Sequence, residues 1–366
     1  MRKTIYIALT ICLLAITFAV KAQTNPYITR VFDFSPAPGQ FVHVHPNVAL
    51  GADSASVARQ VEQELAGKET GMVSLGAFGG YIVMGFDHDV INQPGVADFV
   101  ALGNAFNTSY GTNGEPGIIM VADDINNNGL PDDPWYEIAG SAYTNCIKNY
   151  AITYYKPSDS LDNASGDIAN YIAWIDNQGN SGYLAKNIYH SQSYYPCWYD
   201  STKTFYGTFI PDSVMADATT GYCDVFPNNN AQAGINIDDA VDANGQPANL
   251  TKIRFVRVHT GVYKVVAPFG ETSTEVCGAK DLHATVGLEN TKVEDLVLIS
   301  NDKQTVVFNA PEAGEGTVYG AAGNIVKQFH VDNGYNSLNI EQLAAGVYVL
   351  TVKNNKQNYR LKLIKR

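Results

Sequence analysis

The chain has 366 residues, of which 16% are charged, with a formal net charge of −12, 22 tyrosines and 32 glycines. An acidic chain without a basic stripe is a poor partner for nucleic acid or for an anionic membrane surface. Few charges with much tyrosine and glycine fit an extracellular β protein better than a helical cytosolic one, and the length allows two domains.

Residues 1–22 read as a signal peptide. Arg2 and Lys3 supply the positive start, residues 5–20 the apolar core, and Val20-Lys21-Ala22 the cleavage site before Gln23. Cys12 lies inside the apolar core, but Ile11 before it is too large for a good lipobox. No later run is long and apolar enough to span a bilayer, so no transmembrane segment is expected. Export makes disulfides possible among Cys146, Cys197, Cys223 and Cys277. Four cysteines allow three connectivities, and Cys197 with Cys223 closes the shorter loop. The cysteines lack the close pairing of a zinc site.

Taken in order, residues 41–45 look like a short strand that puts His43 and His45 on one side, a packed pair more than a metal pair. Residues 54–65 form a helical stretch with Val57, Val61 and Leu65 on one face. Residues 81–86 are a strand ended by Asp87-His88-Asp89, and residues 98–106 the next. Gly76, Gly79 and Gly80 lack the following helix of a phosphate loop. Residues 117–121 read as a buried strand.

The loop after it carries the strongest motif. Asp124, Asn126 and Asn128 fall at positions 1, 3 and 5 of a calcium loop. Gly129 stands at position 6, Leu130 offers a carbonyl at position 7, and Asp132 sits at position 9. Position 12 is Trp135 rather than Glu, so Glu137, the nearest glutamate, is taken as the closing ligand. No helical period flanks the loop. The expectation is a structural Ca²⁺ staple in a β fold.

Residues 147–155 alternate as a strand, and residues 156–170 form a polar loop. Residues 171–206 hold ten aromatics around the turn-rich segment 176–182. Trp174, Tyr194, Tyr195 and Trp198 are taken as the ligand-binding aromatics, since flat rings with polar tips suit a sugar face or a corrin edge. His190 is added because an imidazole can ligate a corrinoid cobalt. Residues 253–258 alternate as a half-buried strand. Near residue 285 the texture changes, and residues 291–366 read as short strands of a small β-sandwich, over residues 296–300, 305–309, 316–319, 325–330, 347–352 and 359–364.

There is no HExxH motif, no GxSxG elbow and no phosphate loop. Glu271 and Glu275, with Glu115 or Asp98, are the candidates for paired carboxylates. On a strand, positions i and i+4 lie about 13 Å apart, too wide for acid/base work on one glycosidic bond. Hydrogen bonding or calcium ligation is the preferred role, and the chain is read as not an enzyme.

Two resemblances extend this reading. Val318-Tyr319, Gly323-Asn324-Ile325-Val326, Ile340, Leu343, Gly346-Val347-Tyr348-Val349-Leu350 and Tyr359-Arg360-Leu361-Lys362-Leu363-Ile364-Lys365 resemble the C-terminal sorting domain of the type IX secretion system of Bacteroidetes. Such domains direct export and surface attachment. Gly80-Tyr81-Ile82-Val83-Met84-Gly85-Phe86-Asp87-His88-Asp89, Gly103-Asn104-Ala105-Phe106, Asn128-Gly129-Leu130-Pro131-Asp132-Asp133 and Phe255-Val256-Arg257-Val258, with the segments 176–182 and 271–276, resemble a family of secreted Bacteroidetes cell-surface proteins. That family looks like a jelly-roll sandwich and is often encoded beside corrinoid (vitamin B12) uptake components. The resemblance implies corrinoid capture in support of outer-membrane uptake. The alternative is a carbohydrate-binding surface module without catalysis.

The expectation is an all-β protein exported to the cell surface. A jelly-roll-like sandwich with a calcium loop spans residues 24–284, followed by a small Ig-like sandwich over residues 291–366.

Overall fold

The structure is a computed structural model and describes residues 25–109, 111–158, 166–266, 270–284, 296–301, 304–321, 323–354 and 358–365. The signal-peptide segment lies outside the described residues. The chain divides into two compact units, Met1–Val286 and Gly287–Arg366, and it is all-β.

The first unit is built on a seven-stranded antiparallel sheet. Its strands run in the order Arg30–Ser35, Tyr81–Ile91, Lys252–Thr260, Gly117–Ala122, Tyr136–Ile138 and Ala240–Val241, and Tyr222–Cys223 also pairs with Gly117–Ala122. Lys252–Thr260 is central: Val256 pairs with Met84 on one side and Val121 on the other. The period-2 alternation of a strand sends its side chains to two faces. Val256 and Val258 enter the main core with Ile82, Met84, Ile119 and Val121. Phe255, Arg257 and His259 point the other way. Phe255 meets Phe32 edge-on at 5.4 Å, and Arg257 stacks over the Tyr81 ring at 4.4 Å.

The helix Ser54–Leu65 covers part of the main core. Val57, Val61 and Leu65, spaced four apart, are its buried residues, and Asp53 caps its start by accepting from the Ser56 N–H at 2.8 Å. The three-stranded sheet Gly234–Ile235, Phe99–Leu102, Gly278–Asp281 closes the same core through Ile235, Phe99, Ala101 and Ala279.

A four-stranded sheet, in the order Ser181–Lys186, Ile168–Asp176, Ile147–Tyr154, Lys203–Phe209, carries a second, aromatic core. Phe78 lies at its centre, with Tyr150 edge-on at 4.9 Å and Phe209 at 5.4 Å.

The second unit is a two-sheet sandwich. Three strands, Val297–Asn301, Thr305–Ala310 and Gly334–Asn339, face four, ordered Ile325–Val331, Gly314–Gly320, Gly346–Lys353, Asn358–Lys365. Val306, Phe308 and Leu338 from the first sheet share a core with Val318, Leu350 and Leu363 from the second. Gly334–Asn339 is a strand that the sequence pattern did not announce. Among the described residues, no helix is long and apolar enough to cross a membrane.

Candidate functional site

Strand pairing assembles a cluster of carboxylates from distant parts of the first unit. Cys223 pairs with Gly117 in antiparallel register. The residues just outside that pair therefore meet, and the Glu115 N–H donates to the Asp224 carbonyl at 2.7 Å. Glu275 opens the short strand Glu275–Val276, opposite Ser74, and its N–H donates to Asp224 Oδ2 at 3.1 Å. Asp224 Oδ1 accepts from the N–H groups of Asn104 and Ala105, both at 2.7 Å. Asp224 holds a left-handed φ of 60°, a conformation that costs a non-glycine residue about 1–3 kcal/mol. Gly103 makes room for it, since a Cβ there would lie 2.5 Å from Asp224 Oδ1.

The ligand atoms of Glu115, Asp224 and Glu275 all lie within 4.8 Å of one another. Burial pushes Asp224 up to about 8, with the Glu275 charge adding to the rise. Burial also raises Glu115 and Glu275; the Glu275 charge adds to the rise of Glu115, while the hydrogen bond from Glu115 lowers Glu275. Glu271 lies on the neighbouring strand Gly270–Glu271. Its Oε1 accepts from the Gln40 N–H, while its buried Oε2 has no hydrogen-bond partner among the described residues. Burial lifts Glu271 to about 8.

Glu115, Glu271 and Glu275 line a cavity of about 820 Å³ shared with Gln40, Phe41, His45, Phe106, Tyr189, His190 and Lys264. Burial lowers the pKa of both His190 and His45, so His190 is a neutral imidazole at pH 7. Its ring stands edge-on to Phe41 at 4.7 Å.

A second groove of about 590 Å³ opens on the side of the central sheet that carries Tyr81 and Arg257. Phe32, Tyr81, Trp135 and Tyr206 line it with Asp33, Lys203 and Arg257. Tyr206 is 65% exposed there.

The aromatic binding platform expected over residues 174–198 is core instead. Tyr194 and Tyr195 are 0% and 2% exposed, so they present no face to a ligand. Trp198 packs against both cores, and Trp174 stands edge-on to Tyr263 at 5.0 Å. His190 alone of the five proposed ligand residues lines the cavity.

In the loop, Asp124, Asn126, Asn128 and Asp132 do converge. Asp124 accepts from the N–H groups of Asn128 and Gly129 at 2.9 and 3.0 Å, and Asp132 accepts from the side-chain amides of Asn126 and Asn128 at 3.1 and 3.0 Å. The Leu130 N–H donates to Asn128 Oδ1, and Gly129 turns the chain at φ 73°. Glu137 does not join them. It lies on Tyr136–Ile138 and accepts from Lys148 at 2.9 Å and from the Thr208 hydroxyl.

Asp98 is apart from the cavity and accepts from the N–H groups of Gln93 and Ile237. His43 is buried, with Nδ1 donating to Ser193 O and Nε2 accepting from the Cys197 N–H. The segment expected as the strand 41–45 is a run of turns. Among the described residues, Cys146, Cys197, Cys223 and Cys277 are free thiols. Cys197 Sγ lies 3.7 Å from Ala49 O and Cys223 Sγ 3.8 Å from Leu102 O, so the pairing expected for these two is not formed. Asp224 was missed altogether: a lone aspartate after Tyr222-Cys223 carries no local signature.

Residues 300–366 match the family model of the secretion system C-terminal sorting domain. The chain is exported, to the cell surface or beyond it. No curated protein matches the sequence. Among solved structures, a β-glucuronidase of Faecalibacterium prausnitzii is similar over 73% of this chain and 46% of its own, with 8% identity and a TM-score of 0.19. A β-glucuronidase of Ruminococcus gnavus is similar over 76% and 47%, with 8% identity and a TM-score of 0.15. This chain thus spans about half the length of those structures, and at such TM-scores the likeness bears on neither fold nor activity.

Proposed function

We propose that this exported chain is a non-catalytic binding protein of the cell surface that holds a small-molecule ligand in the carboxylate cavity. One observation carries the reading: carboxylates from two distant segments, Glu115 and the pair Glu271 and Glu275, line a single cavity of about 820 Å³, with Asp224 packed beside Glu115 and Glu275.

The preferred ligand is a corrinoid, passed on to outer-membrane uptake components. His190 supports this choice, because a neutral imidazole at a cavity wall can ligate cobalt. The amide side chains around a corrin ring would donate to the carboxylates. Carbohydrate binding is the second reading, and the aromatic groove favours it. Tyr206 and Trp135 offer rings for a sugar face, and Asp33 and Arg257 offer hydrogen bonds to hydroxyls.

The loop 124–132 serves as a structural Ca²⁺ site in this proposal. Asp124, Asn126, Asn128 and Asp132 would supply side-chain oxygens and Leu130 its carbonyl. Glu137 is left out because Lys148 and Thr208 already occupy it.

The test is titration calorimetry of the full chain, calcium-loaded, with cyanocobalamin and aquocobalamin. Saturable binding at micromolar affinity or tighter is expected, with an absorbance shift for aquocobalamin that His190→Ala abolishes. No heat and no retained colour would remove the corrinoid. A glycan array comparing wild type with Tyr206→Ala then decides the second reading.

A further inference from the structure

We propose that the groove lined by Arg257, Lys203, Trp135 and Tyr206 binds an anionic sugar, whose acid group is received by the Arg257 guanidinium and whose ring is covered by the aromatic side chains. The inference rests on the carbohydrate reading of this groove and narrows it to one chemical class. It does not depend on the corrinoid.

Arg257 carries the argument. It lies on the central strand Lys252–Thr260, paired with Val83 on one side and Met120 on the other, and neither neighbour can balance its charge. One Nη1–H group donates to the Met120 thioether at 3.2 Å, a weak acceptor, and the guanidinium carbon lies 4.4 Å from the centre of the Tyr81 ring. Among the described residues, no carboxylate forms an ion pair with Arg257. Of the residues lining the groove only Asp33 is acidic, and it accepts from the Tyr81 hydroxyl at 2.6 Å. Arg257 feels the Asp33 charge without contact between them. Burial disfavours the charged form of Arg257, yet an arginine stays protonated in a protein. Most of its five N–H donors are thus left for a ligand. Their planar fork matches the paired oxygens of a carboxylate or a sulfate ester.

The charge of the groove is a second sign. The chain as a whole carries a formal charge of −12, but here Arg257 and Lys203 stand against Asp33 alone. Lys203 also forms no ion pair among the described residues, and its Nζ lies 4.8 Å from the centre of the Tyr199 ring. A locally positive groove on an acidic chain draws anions to that one place.

The rings narrow the class further. Tyr206 and Trp135 present flat apolar faces with polar tips beside the guanidinium, as the face of a sugar ring requires. An inorganic anion would use the fork and not the rings; a neutral sugar would use the rings and not the fork. An acidic sugar uses both.

The experiment screens the full chain on a glycan array that carries neutral, carboxylated and sulfated chains. Acidic chains are expected to be retained over neutral ones, and the two acidic sets tell carboxylate from sulfate. Calorimetry then compares the best acidic chain with the same chain after methyl esterification or desulfation. Masking the acid group should weaken binding about 30-fold or more, as when a desolvated charge pair loses one partner. Arg257→Gln should bind the acidic and masked chains alike. Arg257→Lys, which keeps the charge but not the fork, should recover only part of the difference. Circular dichroism checks that both variants fold, and the comparison of acidic with masked chains on wild type needs neither of them. A folded Arg257→Gln that still prefers the acidic chain overturns the proposal. Equal binding of acidic and neutral chains by wild type overturns it too, while leaving the carbohydrate reading in place. Retention of no chain at all removes both.

Discussion

Burial holds His259 neutral. The side chain is 1% exposed on the central strand, its Nε2 hydrogen-bonds Thr208 O at 3.3 Å, and its Nδ1 has no partner among the described residues. It fits only because Gly207 faces it, where a Cβ would lie 2.3 Å from Nε2. Desolvation, and then the Arg257 charge, bring its pKa down to about 3 from 6.5. The folded-state value is the lower one, so the unfolded chain binds the extra proton between these limits. The stabilisation is complete above pH 6.5 and is lost as pH falls towards 3. Wild type should lose stability relative to His259→Gln by about 1.4 kcal/mol per pH unit between pH 6 and pH 4. Urea unfolding of both chains across that range checks it; parallel curves would show that the imidazole is not held neutral. Single-residue chemistry was partly legible in the sequence. Glu115, Glu271 and Glu275 stand out as carboxylates, but the extended-strand spacing puts Glu271 and Glu275 about 13 Å apart. The chain between them is not a strand: residues 272–274 break the extended run, so the spacing rule did not apply.

At the scale of elements, local periodicity served where one face decides burial. The helix Ser54–Leu65 has the boundaries and buried face that its four-residue spacing requires, because an amphipathic stripe needs only one neighbour to bury it. Val61 is 0% exposed in the main core. Val61→Ala should cost about 1–3 kcal/mol through the lost methyl groups and the cavity they leave. Asp53→Ala, which removes only the cap, should destabilise the chain less. Chemical denaturation ranks the two, and the reverse order would mean that the cap and not the apolar face secures the helix. Strand ends were less legible. The strand Tyr81–Ile91 runs on through Asp87-His88-Asp89, where a break was expected. Lys252 and Arg254 on the neighbouring strand hold Asp89 at 2.8 and 3.1 Å, and His88 bridges Asp87 and Asp281. Lys252, Arg254 and Asp281 lie more than 160 residues from Asp89 and His88 along the chain, out of reach of any local pattern.

At the scale of the molecule, two compact units share one chain, and the sorting-domain match falls in the second. A chain truncated after Val286 should therefore stay inside the outer membrane of a host that uses this secretion system, while the full chain becomes accessible to added protease. Surface proteolysis and fractionation check this, and a truncated chain found outside would show that the second unit is dispensable for export. The sequence by itself determined the β class, the helix, most strands of the second unit, the change of texture near residue 285 and the export signature. All of these rest on period-2 or period-4 patterns, or on motifs confined to a few adjacent residues. Only the tertiary structure decided which aromatics are core and which carboxylates meet. Tyr194 and Tyr195 read alike as core or as platform, because burial depends on what packs above them. Asp224 reaches Glu115 and Glu275 only through the pairing of Cys223 with Gly117 and the hydrogen bond from the Glu275 N–H. Such contacts are set by sheet register between distant strands, a long-range choice that no stretch of neighbouring residues encodes.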